Sequence, residues 1–368
     1  MKLNEILEKD EKNFSLNRED IIYLLSLEDK KDIDTLFKKA YEIKLKYVGK
    51  KVFFRGLIEF SNICDKNCLY CGIRRENKKV DRFMMSLDEI VAEAKFAYEN
   101  DYGSVVLQSG ERSDKFFIDF VDNAVKEIKR ISRGQLGITL CVGEQDEETY
   151  LRWFNSGAHR YLLRIETSSP ELYRKIHPHD HSFEKRVNAI KTLKKIGYQT
   201  GTGVMIGLPG QEIENLADDI LFFKDIDADM IGMGPYIPHN ETPIGIESFG
   251  YNSEKQLELA LKMIAVTRIF LKDVNIASTT ALQALKINGR ELGLIAGANI
   301  IMPNLTETKY RPSYKLYNGK PCLDENSSMC KACLKRRIES IGESIGFGEW
   351  GDSPHAKKKQ KTTQFHNP

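Results

Sequence analysis

Residues 52–71 read VFFRGLIEFSNICDKNCLYC. The first nine are mostly aromatic and branched apolar side chains in a short run that is rich in β formers, which predicts a buried strand over 52–60. Directly after it the chain places three thiols, Cys64, Cys68 and Cys71, within eight residues. What that strand belongs to, and what the thiols hold, are the two questions the rest of the sequence answers.

Comparable runs recur at 104–108, 136–142, 160–166, 201–207, 230–235, 274–279 and 298–303. They alternate with amphipathic helical segments such as SLDEIVAEAKFAYEN, KFFIDFVDNAVKEIKRI and SEKQLELALKMIAVTRIFLK. Eight βα repeats with no Pro/Gly/Ser-rich linker predict an α/β fold, one (β/α)8 TIM-type barrel in place of two doubly wound sheets. The expected organisation is a helical segment over 1–50, the barrel over 51–303, a C-terminal extension over 304–350 with a cysteine trio, and a basic tail over 351–368 that stays solvated and disordered.

Composition narrows the chemistry. The start, MKLNEILEKDEKNFS, is charged, and no window is long and apolar enough for a membrane span, so the expected location is the cytoplasm with no membrane partner. Thiols stay reduced there, and the seven cysteines read as metal ligands or reactive groups before disulfides. With 55 basic and 53 acidic side chains interspersed there is no broad field for a polyanion, and nucleic acid is not an expected partner.

In a barrel of this kind the chemistry sits at the carboxyl ends of the strands. The cysteine loop would share that face with Ser109-Gly110-Glu111, Glu166, Gly207-Leu208-Pro209-Gly210 and Thr279-Thr280. A structural zinc site closes a tetrahedron with four ligands, whereas the local set stops at three, so zinc needs a distant fourth ligand. Thiolates at C-x3-C-x2-C spacing can take three corners of a 4Fe-4S cluster, leaving one iron open to a small molecule. Both alternatives stay open on the residues alone.

With Tyr70 just before the last cysteine and the loop following the first strand, the motif resembles the radical S-adenosylmethionine superfamily. That resemblance implies a 4Fe-4S cluster on Cys64, Cys68 and Cys71 and S-adenosylmethionine bound to the open iron, with reductive cleavage to a 5'-deoxyadenosyl radical. It implies cofactor contacts for Tyr70, for Ser109, Gly110 and Glu111 (similar to the superfamily's Gly-Gly-Glu turn, with Ser109 replacing the first glycine), and for Arg164, Glu166 and Arg186. Gly201, Gly203 and Gly207 do not make GxGxxG, so a dinucleotide site is set aside; Gly203 and Gly207 are expected to let backbone approach adenine.

The similarity goes further. EFSNICDKNCLYCGIRRENK, VVLQSGE, RYLLRIETSSPELYRKIHP, GVMIGLPGQ, IGMGPYIPHNETP, ASTTAL, ANIIMPN and a late C-x7-C-x2-C together resemble the HydE family of FeFe-hydrogenase maturases, from about residue 40 to about 335. In that family the substrate is a cysteine-bound iron carbonyl cyanide species from HydG, attacked at sulfur on the way to the diiron subcluster. The family implies substrate contacts for Arg55, Gln108, Met230, Thr279, Thr280 and Tyr317, a reductant protein such as ferredoxin or flavodoxin, and the HydF scaffold. Relatives can carry histidine where this chain has Ile165, so fine contacts differ. The late trio Cys322, Cys330 and Cys333 would hold an accessory iron-sulfur cluster, 2Fe-2S or 4Fe-4S, with zinc or no metal as the open alternatives.

Cys141 reads as a buried small hydrophobe, and His177-Pro178-His179-Asp180-His181 as a solvated loop. Two other functions compete: a related radical mutase or lyase of the methylornithine synthase or biotin synthase type acting on a small amino-acid-like substrate, and a non-catalytic zinc-stabilised binding module.

Overall fold

The computed structural model describes residues 2–11, 15–246 and 250–364. All eight expected strands are present: β1 Lys51–Ser61, β2 Ser104–Ser109, β3 Gly137–Cys141, β4 Arg160–Leu162, β5 Gln199–Thr202, β6 Met230–Ile231, β7 Asn275–Ile276 and β8 Ile300–Ile301. They pair in parallel in the spatial order β8-β1-β2-β3-β4-β5-β6-β7. The ring closes through a parallel bridge between Ala277 and Ile300, with the Ser278 N–H donating to the Ile300 carbonyl at 2.8 Å and the Asn299 N–H to Ile276 at 2.9 Å. The later strands are shorter than their apolar runs because the ladder gives way to turns that carry site residues. Past β5 and β6 it resumes as a two-residue pair, Met205–Ile206 with Gly234–Pro235.

The helices are started by local chemistry that is plain in the sequence. Ser86 and Glu89 form a capping box ahead of Leu87–Glu99, Asp114 accepts from the Phe117 N–H ahead of Lys115–Ile131, and Ser169 precedes Pro170 at the first turn of Pro170–Ile176. Lys115–Ile131 turns Phe117, Val121, Ala124, Val125 and Ile128 onto the sheet, each larger side chain contributing roughly 1.5–3 kcal/mol of burial.

The N-terminal helices pack on the outside of the barrel, Lys30–Tyr47 lying along Ser253–Leu271. Between them and the C-terminal extension, Lys44 is fully buried, donates to the Leu294 carbonyl at 3.0 Å and pairs with Glu343. Replacing Lys44 by Met should cost about 3–5 kcal/mol in a denaturant titration, because the buried Glu343 carboxylate loses its paired cation and keeps only the Tyr41 hydroxyl. Adding Glu343→Gln should return much of that loss.

A strand unseen in the sequence, Ser344–Ile345, extends the sheet beside the start of β1 and is too short for any periodicity. From there residues 346–353 cross the amino ends of the strands. Arg55 and Asn275 both donate to the Gly351 carbonyl, at 3.4 and 2.7 Å, the buried Arg160 pairs with Asp352, and Trp350 packs its ring on His159 at 4.4 Å.

The expectation of a disordered tail from 351 onward is not met over 351–364. Pro354–Gln364 is a helix, and its basic side chains land on carboxylates the tail's own composition could not disclose. Lys358 meets Asp273 at 2.6 Å, Lys359 meets Asp229 at 3.1 Å and also pairs with Asp227, and His355 bridges Asp227 and Asp273 at 2.7 and 3.2 Å. Residues 365–368 lie outside the described residues.

Hydrogen bonds that His355 donates to Asp273 and Asp227 raise its pKa, so its contribution is complete below about 6.5 and is lost as pH rises through the raised value. Burial pushes Asp227 and Asp273 up, but hydrogen bonds from Lys359, Lys358 and His355 outweigh it and hold both at about 2. Their contribution is present above about 3.9 and fades toward pH 2. Hydrogen exchange over 354–359 should therefore be slowest, after correction for intrinsic rates, between about pH 4 and 6.5.

Candidate functional site

The loop of residues 62–85 carries the three thiols at the carboxyl end of β1. It is held mainly through its backbone: Arg82 donates to the carbonyls of Asn62, Ile73, Arg74 and Asn77 at 2.6–3.1 Å, and Asn62 Nδ2 donates to Asp81 and Ser313. The Asp65 N–H donates to Glu111 and the Gly72 N–H to Leu316, both at about 3.0 Å or less, which ties the loop to the end of β2 and to the extension beyond β8.

The loop forms one side of a cavity of about 270 Å³ at the top of the barrel. Cys64, Cys68, Cys71 and Tyr70 line it, as do Ser109, Gly110, Glu111, Arg164, Glu166, Arg186, Gln108, Thr279, Thr280 and Tyr317. The structure thus gathers most of the expected site residues in one place.

The turn after β2 has no slack. The Gly110 N–H donates to Ser61 at 2.9 Å, and a Cβ on Gly110 would lie 2.3 Å from the Ile63 carbonyl oxygen and 2.8 Å from Cys64 Cβ. The next residue, Glu111, points its N–H at Cys64 Sγ at 3.3 Å, a contact suited to a thiolate. Its carboxylate meets Arg186 at 3.3 Å and Lys66 at 3.3 Å, and Arg186 reaches Glu144 at 2.5 Å from the other side.

Beyond β4 the backbone turns at Glu166, which sits at φ 66°, in the left-handed region, with its N–H donating to the Gly203 carbonyl. That conformation costs a non-glycine residue of order 1–3 kcal/mol and aims the carboxylate into the cavity, where Arg164 pairs with it at 3.2 Å. Burial pushes the Glu166 carboxyl up, against the pull of Arg164 and Arg186.

Glu166 Oε2 and Thr279 Oγ1 are buried without a hydrogen-bond partner among the described residues. Unmet acceptors and hydroxyls on the wall, a carboxylate and guanidinium pair beside them, and thiols at the mouth fit a zwitterionic cofactor with ribose hydroxyls held beside an iron-sulfur cluster.

Burial also pushes up the thiols, Cys71 to about 12 and Cys68 well above its ordinary value. Metal uptake must release those protons, so cluster installation should be favoured by rising pH.

Four expected site residues fall elsewhere. Arg55 and Met230 line a separate void of about 20 Å³ deeper in the barrel, where Arg55 Nη1 lies 2.9 Å from Met230 Sδ, so neither reaches the main cavity. Gly203 is buried against the next strand, where a Cβ would sit 2.2 Å from the Gly232 carbonyl oxygen. Gly207 packs against the Gln256 side chain. Gly203 is kept bare by strand packing and Gly207 by Gln256 and its φ of 77°, while Gly110, Gly143, Gly232 and Gly234 line the cavity.

Several lining residues escaped the sequence reading. Glu59, almost fully buried near the end of β1, accepts from Lys320 at 2.5 Å and from Asn304 at 3.1 Å, which latches the extension over the cavity. A carboxylate inside an apolar strand run was the available signal for Glu59; Lys320 had none. Arg290 donates to Thr280 Oγ1 at 3.1 Å, and Cys141, read as a plain hydrophobe, also faces the cavity.

Of the late trio, Cys322 lines the cavity, Cys330 is buried, and Cys333 follows on the same helix, Ser327–Ser340. The HPHDH run is solvated only in its middle, where His179 and Asp180 are exposed: His177 and His181 are buried, and their rings stack 5.0 Å apart beside Cys68.

Among the described residues no helix is long and apolar enough to cross a membrane. Residues 58–223 match the radical SAM superfamily. Over 348 residues, 94% of this chain and 96% of the relative, the sequence is 47% identical to the [FeFe] hydrogenase maturase subunit HydE of Thermotoga maritima. Among solved structures, methylornithine synthase (PylB) superposes with a TM-score of 0.79 at 28% identity, covering 93% of this chain and 98% of that one. The FeFe-hydrogenase maturase HydG of Carboxydothermus hydrogenoformans has a TM-score of 0.78 at 23% identity, covering 94% and 79%, a likeness of fold alone.

Proposed function

The chain belongs to the radical SAM superfamily and is a HydE-like radical SAM enzyme, and on that premise we propose that it prepares the diiron subcluster of FeFe-hydrogenase from a cysteine-bound iron carbonyl cyanide precursor. The observation that carries the reading is the placement of three thiols at the mouth of a closed lumen whose walls divide into two chemically different halves. One half, Glu111, Arg164, Glu166 and Arg186, is charged and suits the cofactor. The other, Thr279, Thr280, Tyr317 and the Lys320 and Glu59 pair, offers hydroxyls and an ammonium to an amino-acid-like ligand bearing polar diatomic groups.

When bound, a 4Fe-4S cluster and S-adenosylmethionine supply a 5'-deoxyadenosyl radical for attack at the precursor's sulfur. Cys64, Cys68 and Cys71 would hold that cluster, with the Glu111 N–H donating to the Cys64 sulfur. Glu166 would accept from the cofactor's hydroxyls, and Arg186 would fix the Glu111 carboxylate for its amino group. Gln108, positioned by Tyr314 at 3.3 Å, and Thr279 would orient the precursor. Cys322, Cys330 and Cys333 are assigned to an accessory cluster. The substrate would come from a HydG-type partner, electrons from a ferredoxin or flavodoxin, and the product would pass toward the HydF scaffold, all in the cytoplasm.

An anaerobic maturation assay tests this: apo-hydrogenase and the partner maturases, with and without this chain, with hydrogen evolution and 5'-deoxyadenosine both read. Dependence of both on this chain is the expected result. Cofactor cleavage without maturation, with partners shown competent beside a known maturase, would overturn the substrate assignment in favour of a radical mutase or lyase acting on a small amino-acid-like compound. A colourless chain holding only zinc would overturn the radical reading.

A further inference from the structure

One cluster of ligand-type side chains joins a cysteine of the site to two histidines that the chemistry above does not use. Cys68, His177 and His181 each offer a ligand atom, and the three atoms lie within 4.8 Å of one another. His177 Nδ1 lies 2.9 Å from the Tyr173 carbonyl, which fixes the proton on Nδ1 and leaves Nε2 as the lone-pair nitrogen, met at 3.4 Å by the Tyr70 hydroxyl that an incoming ion would displace. A ring N–H given to a backbone carbonyl is the arrangement that orients metal-binding imidazoles. His181 Nε2 is buried without a hydrogen-bond partner among the described residues, in a residue 8% exposed whose ring lies 13° from parallel to His177.

From these observations we infer that Cys68, His177 and His181 form a mononuclear site for a zinc-class divalent ion in the cluster-free chain. One thiolate and two neutral imidazoles are a borderline-soft set that suits zinc, with a fourth position left for water. Binding releases one proton to solvent, from the Cys68 thiol, and changes no oxidation state.

Resting on the assignment of Cys68 to the iron-sulfur cluster, the site and the cluster exclude one another, since one sulfur serves both. The ion would clip the cysteine loop to the segment after Pro170–Ile176 and would have to leave before the cluster is built. Neither cysteine trio has its ligand atoms drawn together within the same 4.8 Å. Wider spacing is what a multi-iron cluster requires.

The test uses the full-length chain, reduced, cluster-free and stripped with chelator under anaerobic conditions, titrated with Zn²⁺ against a chromophoric competitor. Wild type should bind one tight equivalent that is lost in Cys68→Ser and weakened by at least about 100-fold in His181→Phe, the upper end of what losing even an outer-shell partner costs. The Cys64→Ser/Cys71→Ser double variant should keep it. With Co²⁺ as the probe, the thiolate-to-metal charge-transfer band should follow the same pattern, and preloaded Zn²⁺ should slow iron-sulfur reconstitution of wild type but not of His181→Phe.

An equivalent that survives His181→Phe and vanishes in the Cys64/Cys71 double puts the ion on the three thiols and overturns the site, as does a wild type indistinguishable from His181→Phe. Cluster uptake by the reconstituted His181→Phe chain certifies its fold. The maturation assay can fail without touching this result, because zinc is read before any cluster is present.

Discussion

Serine at Cys64, Cys68 or Cys71 should leave a folded chain that holds no catalytic cluster and forms no 5'-deoxyadenosine, a complete loss. The three sulfurs line one cavity and sit on one loop, so they act as a unit and each removal should cost as much as all three together. The folded state should hardly register the change: the cysteines are half-buried and the loop is held by Arg82, Asn62 and backbone contacts that the substitution leaves in place. Surface-type changes away from such staples stay within about ±0.5 kcal/mol, so the melting midpoint of the apo-chain should move little. Iron and sulfide content beside the thermal midpoint checks it. A serine variant that retains catalysis would remove the cysteine loop from the reaction, and one that unfolds would make the thiols structural.

Arg186→Met should weaken S-adenosylmethionine binding to the reconstituted enzyme by roughly 100-fold, within the range expected for truncating one partner of a buried charge pair. Arg186 lies between Glu111 and Glu144, at 3.3 and 2.5 Å, and only a tenth of its side chain is exposed. Without it two carboxylates face each other in a buried wall, and Glu111 loses the orientation its role requires. Arg186→Lys should recover a part only, because a single ammonium cannot span both acids as the planar guanidinium does. Equilibrium binding of the cofactor, compared with turnover at saturation, separates the two effects: affinity should fall much further than the saturated rate. Unchanged affinity in the Met variant would assign Arg186 to the fold alone.

The barrel was legible because eight apolar β runs alternate with capped amphipathic helices, and each of those signals is local. The cysteine loop, Ser109 to Glu111, Glu166 and Thr279-Thr280 were legible for the same reason, since they follow strand ends in sequence and a barrel collects strand ends on one face. Arg55 and Met230 misled because a strand's inward side chains occupy different depths, and a sequence does not say where a lumen is divided. Lys320 meets Glu59 across 261 residues and the tail lysines meet Asp227, Asp229 and Asp273 across 85 to 132; no local pattern encodes such partners. His177 and His181 look polar in isolation, and only the packing of Tyr173 and Cys68 around them makes them interior.

The segment that crosses the amino ends of the strands sets a rule of traffic. Gly351, Asp352 and Trp350 stop the lower end of the barrel with backbone and side-chain bonds to Arg55, Asn275 and Arg160, so traffic to the main cavity is left to the opposite end, where the cysteine loop and the extension latched by Lys320 lie. On the proposed function, cofactor and substrate would then share that one face for entry and exit.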